Sequence, residues 1–153
     1  MMEEVVYLTT NQVIAINTIQ ISLYSPNEPM GVKEPDLLDS ALNRPRQSAF
    51  RRDAYPTIHE KAASLFESTA KNHAFFNADK PTALASLIIF LKLNGYRWNM
   101  GIEDEQDFTV DVVNHKYTFV EIISMIKNHT EKNMNPFPIN LEMDSGKILS
   151  SEY

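Results

Sequence analysis

Apolar positions along this chain fall into a few runs, and capping residues, prolines and glycines mark where each run stops. Val5-Val-Tyr-Leu8 is a short β-leaning run, closed by Thr9-Thr10, which can cap a following helix. Val13, Ile14, Ile16, Ile19 and Ile21 recur at helical spacing, although so many isoleucines also suit a strand. Ser25-Pro-Asn-Glu-Pro-Met-Gly31 is turn chemistry. Pro35-Asp-Leu-Leu-Asp-Ser-Ala-Leu42 reads as a short helix with proline in its first turn. An irregular arm from Asn43 to Pro56 comes next. Thr57 and Glu60 then form a capping box for a helix whose apolar face is Ile58, Ala62, Leu65, Phe66 and Ala70. His73 lies three residues beyond Ala70, at the end of that face. From Ala83 to Leu93 apolar residues cover nearly every side, which marks a central buried helix, and Gly95 stands where it can end it. Glu103–Val113 is ambiguous, because Phe108, Val110 and Val112 alternate like a strand inside a helix-length segment. Thr118 and Glu121 form a second capping box, opening a helix through about Lys127 that buries Ile122, Ile123 and Ile126. From Asn133 onward, with Pro136 and Pro138, periodicity fades and a loosely held tail is expected.

These elements predict an all-α domain over residues 1–132, a compact bundle around Ala83–Leu93 with room for a small β-element near the N-terminus, followed by the tail at 133–153. A chain of 153 residues is long enough for one real core. Its four glycines include no glycine-rich nucleotide loop, and the lack of cysteine excludes disulfides and thiolate metal sites. A net charge of -6 argues against broad nucleic-acid or membrane binding. The N-terminus has no apolar signal core, and the run near Ala83–Leu93 is too short to span a bilayer.

Candidate chemistry gathers between the two central helices. The stretch Lys71-Asn-His-Ala-Phe-Phe-Asn-Ala-Asp-Lys-Pro-Thr82 feeds a loop into the N-terminus of the buried helix. Backbone N–H groups and the helix dipole can hold a phosphate there. A histidine beside such a site can move a proton near neutral pH. Four of the five arginines, Arg44, Arg46, Arg51 and Arg52, sit in the preceding arm. That arm reads either as a solvated loop or as a contact, through Arg51 and Arg52, with a protein substrate or nucleotide. His115 and His129 read as surface or helix-end residues, with no spacing that pairs them as zinc ligands.

The chain resembles the Fic/Doc proteins, most closely the Doc (death-on-curing) toxins of bacterial toxin–antitoxin modules. The resemblance runs from about Tyr7 to Tyr96 through Gly31-Val-Lys-Glu-Pro-Asp-Leu-Leu-Asp-Ser-Ala-Leu-Asn-Arg-Pro45, Tyr55-Pro56, Glu60-Lys-Ala62 and Ala70-Lys-Asn-His73. Its centre is His73-Ala-Phe-Phe-Asn-Ala-Asp-Lys-Pro-Thr-Ala-Leu84, set against the Doc pattern His-x-Phe-x-(Asp or Asn)-(Ala or Gly)-Asn-Lys-Arg-Thr-Ala. The resemblance implies that His73 draws a proton from a target hydroxyl and that Phe75 anchors the loop in the core. It implies that Asn77 stands at the Mg²⁺ position and that Asn77, Ala78, Asp79, Lys80 and Pro81 line the nucleotide phosphates. It also implies a cytoplasmic toxin that transfers phosphate from ATP to a Ser/Thr hydroxyl of a translation factor such as elongation factor Tu. A cognate, Phd-like antitoxin would hold it in check through a segment that folds on binding. The Ser/Thr-x-x-x-Glu-Gly/Asn inhibitory helix of Fic proteins is missing, so inhibition in trans is expected. Transfer of AMP, and an inactive member that only binds antitoxin, are the alternatives.

Two positions depart from the pattern. Asp79 stands where the pattern has Asn, and Pro81 where it has Arg. Proline brings neither a guanidinium nor an N–H donor to a phosphate. The Asp79 carboxylate repels an anion unless it recruits Mg²⁺ as a second ligand beside Asn77. Attenuated transfer is therefore expected. Both residues also suit a purely local role, since Asp and Pro are favoured where a helix begins.

Overall fold

A computed structural model describes residues 4–133. It contains six α-helices and two small antiparallel ribbons among those residues. Helix α1 (Thr10–Tyr24) starts with a capping box between Thr9 and Gln12, which settles the isoleucine-rich run as helix. Helix α2 (Pro35–Asn43) begins on its proline and runs into a 3-10 turn, Arg44–Arg46. Helices α3 (Ile58–Lys71) and α6 (Phe119–Asn128) carry the expected capping boxes at Thr57/Glu60 and Thr118/Glu121. Helix α4 is longer than its apolar run, spanning Asp79–Leu93, and ends with Gly95 at φ 88°. Helix α5 (Ile102–Val113) resolves the ambiguous segment. There Glu105, Phe108, Thr109 and Val112 share one buried face while Val110 is exposed, so the alternation was incidental to a 3.6-residue period.

The all-α expectation holds. Thr82 to Leu91 is buried nearly throughout, with α3 packed along α4 and α1, α5 and α6 closing around the pair. Phe66 of α3 stacks on Phe108 of α5 at 5.3 Å, joining two sides of the core. The β-structure lies elsewhere than expected. Val5–Leu8 forms no strand; Val6 instead pairs with the Asn94 carboxamide, donating to Oδ1 (2.9 Å) and accepting from Nδ2 (2.8 Å). One side chain thus satisfies the backbone groups that a ladder would have taken.

The arm from Asn43 to Pro56 is ordered into a hairpin. Strands β1 (Ser48–Ala49) and β2 (Arg52–Asp53) pair in register Ser48↔Asp53 and Ala49↔Arg52, leaving Phe50-Arg51 as the turn. Strand β3 (Tyr96–Trp98) follows α4 and pairs with β4 (Thr130–Lys132). Of the expected tail only Asn133 is described, and its N–H donates to the Gly95 carbonyl (2.7 Å); residues 134–153 lie outside the described part. No helix among the described residues is long and apolar enough to cross a membrane.

Candidate functional site

Helix α3 stops where its apolar face runs out, with Asn72 as its C-cap. His73 follows in the left-handed region (φ 52°), and the chain turns through Ala74–Asn77 to Ala78, again left-handed (φ 64°), the N-cap of α4. Two such residues without glycine cost about 1 kcal/mol each and need support from their surroundings.

That support comes from three directions. Ala74 and Phe75 are buried, and Phe75 forms a β-bridge with Val32. Around that bridge the N–H groups of Lys33 and Glu34 donate to the Ala74 carbonyl (2.8 and 3.0 Å), and Phe76 N–H donates to Gly31 O (3.1 Å). From α1, the buried Asn17 amide donates to the Asn77 carbonyl (2.8 Å) and to Thr82 Oγ1 (3.1 Å). Asn77 in turn donates through Nδ2 to Pro29 O (2.9 Å), and Asn72 through Nδ2 to Leu37 O (3.1 Å). The turn at 25–31, the start of α2 and the middle of α1 all converge on this loop.

Asp79 closes the loop from inside. It is the first residue of α4 rather than its cap, and Oδ1 accepts the Phe75 N–H (3.2 Å). Its Oδ2 stands 3.6 Å from His73 Nδ1, with the His73 side chain 65% exposed and that of Asp79 15% exposed. Burial pushes the Asp79 carboxyl above its ordinary range; the Phe75 N–H, His73 and the nearby Lys33 charge pull the other way. The imidazole therefore has one nitrogen directed at a carboxylate and a ring open to solvent, an arrangement that can orient it for proton transfer through Nε2.

The first helical bond of α4 runs from Thr82 N–H to Ala78 O (3.0 Å). The N–H groups of Asp79 and Lys80 therefore lie in the first turn, without intrahelical partners. Pro81, the third residue of that turn, contributes none. Lys80 is exposed and puts its ammonium at the same helix end. The structure thus brings together His73, Phe75, Asn77, Ala78, Asp79, Lys80 and Pro81. For a cation the donor set is thin. Asn77 can offer only a neutral amide oxygen, and both Asp79 oxygens already face protein groups. No group of three His, Asp or Glu side chains able to hold a metal occurs among the described residues. Mg²⁺ would fit only as the companion of nucleotide phosphates, which supply most of its ligands.

Arg51 and Arg52 are not brought to this loop. They sit at the hairpin, whose base is fixed near the opposite end of α3: Lys61 Nζ donates to Tyr55 O (2.6 Å) and Asp53 Oδ2 (3.2 Å). About 15 Å of helix, at 1.5 Å per residue, separates Lys61 from the end of α3. Arg44 is structural, with Nη1 on Glu67 Oε1 (2.8 Å) and Ser68 Oγ (2.9 Å), and Nε on Tyr55 Oη (2.9 Å). Arg46 lies over the Tyr7 ring at 4.3 Å. His115 and His129 sit just after α5 and α6, as expected of helix-end residues.

Sequence reading missed Asn17 and Lys61. Both carry the same signal, a polar residue on an apolar helix face. Asn17 lies among Val13, Ile16 and Ile21, and Lys61 beside Ala62 and Leu65.

Comparison with known proteins bears on the same region. A family model described as "Fic/DOC family" matches residues 7–91. "Toxin Doc" of Mycolicibacterium smegmatis is 40% identical over 80 residues, covering 52% of this chain and 57% of that protein. "Protein kinase doc" of Escherichia phage P1 is 28% identical over 89 residues, covering 58% of this chain and 68% of that protein. The chain thus spans little more than half the length of the first of these relatives.

Proposed function

The chain belongs to the Fic/Doc family, whose model covers more than half of it, and from that premise we propose that it is a Doc-like toxin acting as a protein phosphotransferase. Its substrates would be ATP and a Ser/Thr hydroxyl of a translation factor, with elongation factor Tu the candidate, and a cognate antitoxin would restrain it in the cytoplasm. The observation that carries this reading is the pairing of His73 with the open first turn of α4 across one braced loop.

In this reading the phosphates of ATP lie on the N–H groups of Asp79 and Lys80, with the helix dipole and the Lys80 ammonium offsetting their charge. Asn77 and Asp79 are the side chains that would hold Mg²⁺ beside those phosphates, where the ion would supply further charge neutralisation. His73 Nε2 takes the proton of the target hydroxyl as that oxygen bonds to the γ-phosphorus. The bond from the γ-phosphorus to the bridging oxygen breaks, and ADP leaves with the electron pair. Asp79 faces Nδ1 and keeps the ring in orientation.

The same geometry supports attenuation. Pro81 removes one N–H from the phosphate-binding turn and provides no guanidinium. Asp79 places a carboxylate, satisfied by Phe75 N–H, beside the position of an incoming anion. Loss of one transition-state donor costs about 10²–10³-fold. An inactive, antitoxin-binding protein is the second reading, favoured by these two residues.

Growth arrest on induction tests the proposal. The parent, the Asp79→Asn/Pro81→Arg variant, and that variant carrying His73→Ala are compared. Arrest restored by the double change and abolished by the third is the expected result. If the double change leaves growth and ATP binding as in the parent, attenuation at these positions is wrong. Mass spectrometry of the target separates an added phosphate from an added AMP.

A further inference from the structure

Helix α1 buries two polar side chains on its apolar face, and the loop accounts for only half of one. Asn17 and Gln20, each 1% exposed, stand three residues apart among Val13, Ile16 and Ile21. Side chains at that spacing are neighbours on one helix face. The Asn17 amide donates twice through Nδ2, to the Asn77 carbonyl (2.8 Å) and to Thr82 Oγ1 (3.1 Å). Its Oδ1 has no partner among the described residues, and neither has Nε2 or Oε1 of Gln20. An amide buried without a partner forfeits its hydration, so native interiors satisfy nearly all such groups with protein or internal water. Gln20 is also close to the site. Helix α1 runs antiparallel to α4, with the Tyr7 and Phe90 rings 6.3 Å apart at one end and Asn17 against Thr82 at the other. Three residues past Asn17, Gln20 therefore lies toward the first turn of α4.

We propose that Asn17 and Gln20 hold buried water behind the phosphate-binding loop, and that through it Gln20 is a positioning residue for Asn77 and the start of α4. The hydration stands by itself; the effect on transfer rests on the phosphotransferase reading above. The orphaned atoms select the occupant. A cation would face the Nε2 donor, and an anion would face two carbonyl oxygens, whereas water both donates and accepts. One molecule accepting from Gln20 Nε2 and donating to Asn17 Oδ1 links the pair, and Gln20 Oε1 accepts from another. The link bears on the loop because the Asn77 carbonyl can only accept. Asn17 braces it in one amide orientation alone, and a donor at Oδ1 opposes the flip that would turn oxygen on oxygen.

Two measurements test this. In the unaltered protein, the Gln20 side-chain amide protons should show NOE cross-peaks to water with the sign of the rigid protein, the mark of a long-lived buried molecule. Absent cross-peaks overturn the proposal whatever the activity. Gln20→Met then removes the amide at nearly constant volume. In the Asp79→Asn/Pro81→Arg reference, it is expected to lower kcat on elongation factor Tu about 10–100-fold, with KM for the factor unchanged. The urea midpoint should stay or rise, because an unpaired amide leaves the core. In either background, hydrogen exchange should quicken at Phe76 and Thr82, whose N–H groups bond Gly31 O and Ala78 O, and not in α5 or α6. A kcat within about twofold of the reference, or a lower midpoint with exchange quickened throughout, makes Gln20 an ordinary core residue and overturns its positioning role. If the reference transfers nothing to the factor, the phosphotransferase reading fails, and the cross-peaks with the exchange at Phe76 and Thr82 still decide the proposal.

Discussion

Two segments of this protein each place two non-glycine residues in left-handed backbone: His73 and Ala78 around the phosphate-binding loop, Phe50 and Arg51 at the hairpin tip. The strain is comparable, yet its setting is opposite. Around the loop, the Val32–Phe75 bridge, the Asn17 amide and the Asp79 carboxylate hold the backbone where it is. At the hairpin, bracing stops at the base, where Lys61 grips Asp53, and the Phe50 side chain at the tip is not covered by any of the described residues. Strain that the fold braces keeps a reactive group in position. Strain left at an exposed tip gives nothing back until a partner covers it.

The comparison can be broken most forcefully at His73. In the Asp79→Asn/Pro81→Arg background, His73→Ala should lower transfer about 10²–10⁴-fold. Its unfolding midpoint should barely move, because the side chain is largely exposed. A matching loss of stability would make His73 a structural residue.

Next in size is Lys61→Met. It leaves the half-buried Tyr55 carbonyl without its donor and frees Asp53, so urea unfolding should report a loss of about 1–3 kcal/mol. Hydrogen exchange should quicken in the hairpin and not in the loop; equal quickening in both would mean that the two segments are not independently held.

Opposite signs are expected when each segment's own device is altered. Asn17→Ala strips a donor from Asn77 O and Thr82 Oγ1 and should cost about 1–2 kcal/mol. Phe50→Asn with Arg51→Gly installs the preferred turn residues and should gain about 1 kcal/mol. Urea titrations of the two proteins check both signs, and a hairpin variant less stable than the parent would show that the tip is not strained.

The smallest effect concerns pH. Burial holds the Asp79 carboxyl above its ordinary value, so the folded state binds this proton more tightly than the unfolded state does. Stability contributed at Asp79 therefore falls as pH rises from the ordinary value of 3.8 through the raised one. Asp79→Asn should be more stable than the parent at pH 7, and the difference should shrink toward pH 3. A difference that grows on acidification would reverse the sign and show the carboxylate to be stabilised by its partners.

Much of the fold was legible because its signals are local. The boxes at Thr57/Glu60 and Thr118/Glu121 join residues three apart, and Gly95 ends α4 through its own backbone freedom. The loop was legible in the same way, as a histidine at the end of one apolar face and the start of another. Less local features escaped. The hairpin at 48–53 lacks the Asn-Gly that announces such a turn, so its residues read as an irregular arm. Val5–Leu8 has strand propensity but finds a side chain, Asn94, in place of a strand. The segment 102–113 alternates, yet its period was set by which face the core accepted.

The sequence by itself determined the family, the helical architecture and the contiguous residues of the candidate site, because those follow from periodicity, caps and a single motif. Only the tertiary structure decided that Asp79 faces His73 rather than solvent, that Asn17 braces the loop from α1, and that Arg51 and Arg52 belong to a separate surface. Each of these depends on a contact across the packed helices or on where a hairpin is mounted. Local backbone preferences carry no information about such placements, which are fixed only when the helices pack and their buried polar groups must find partners.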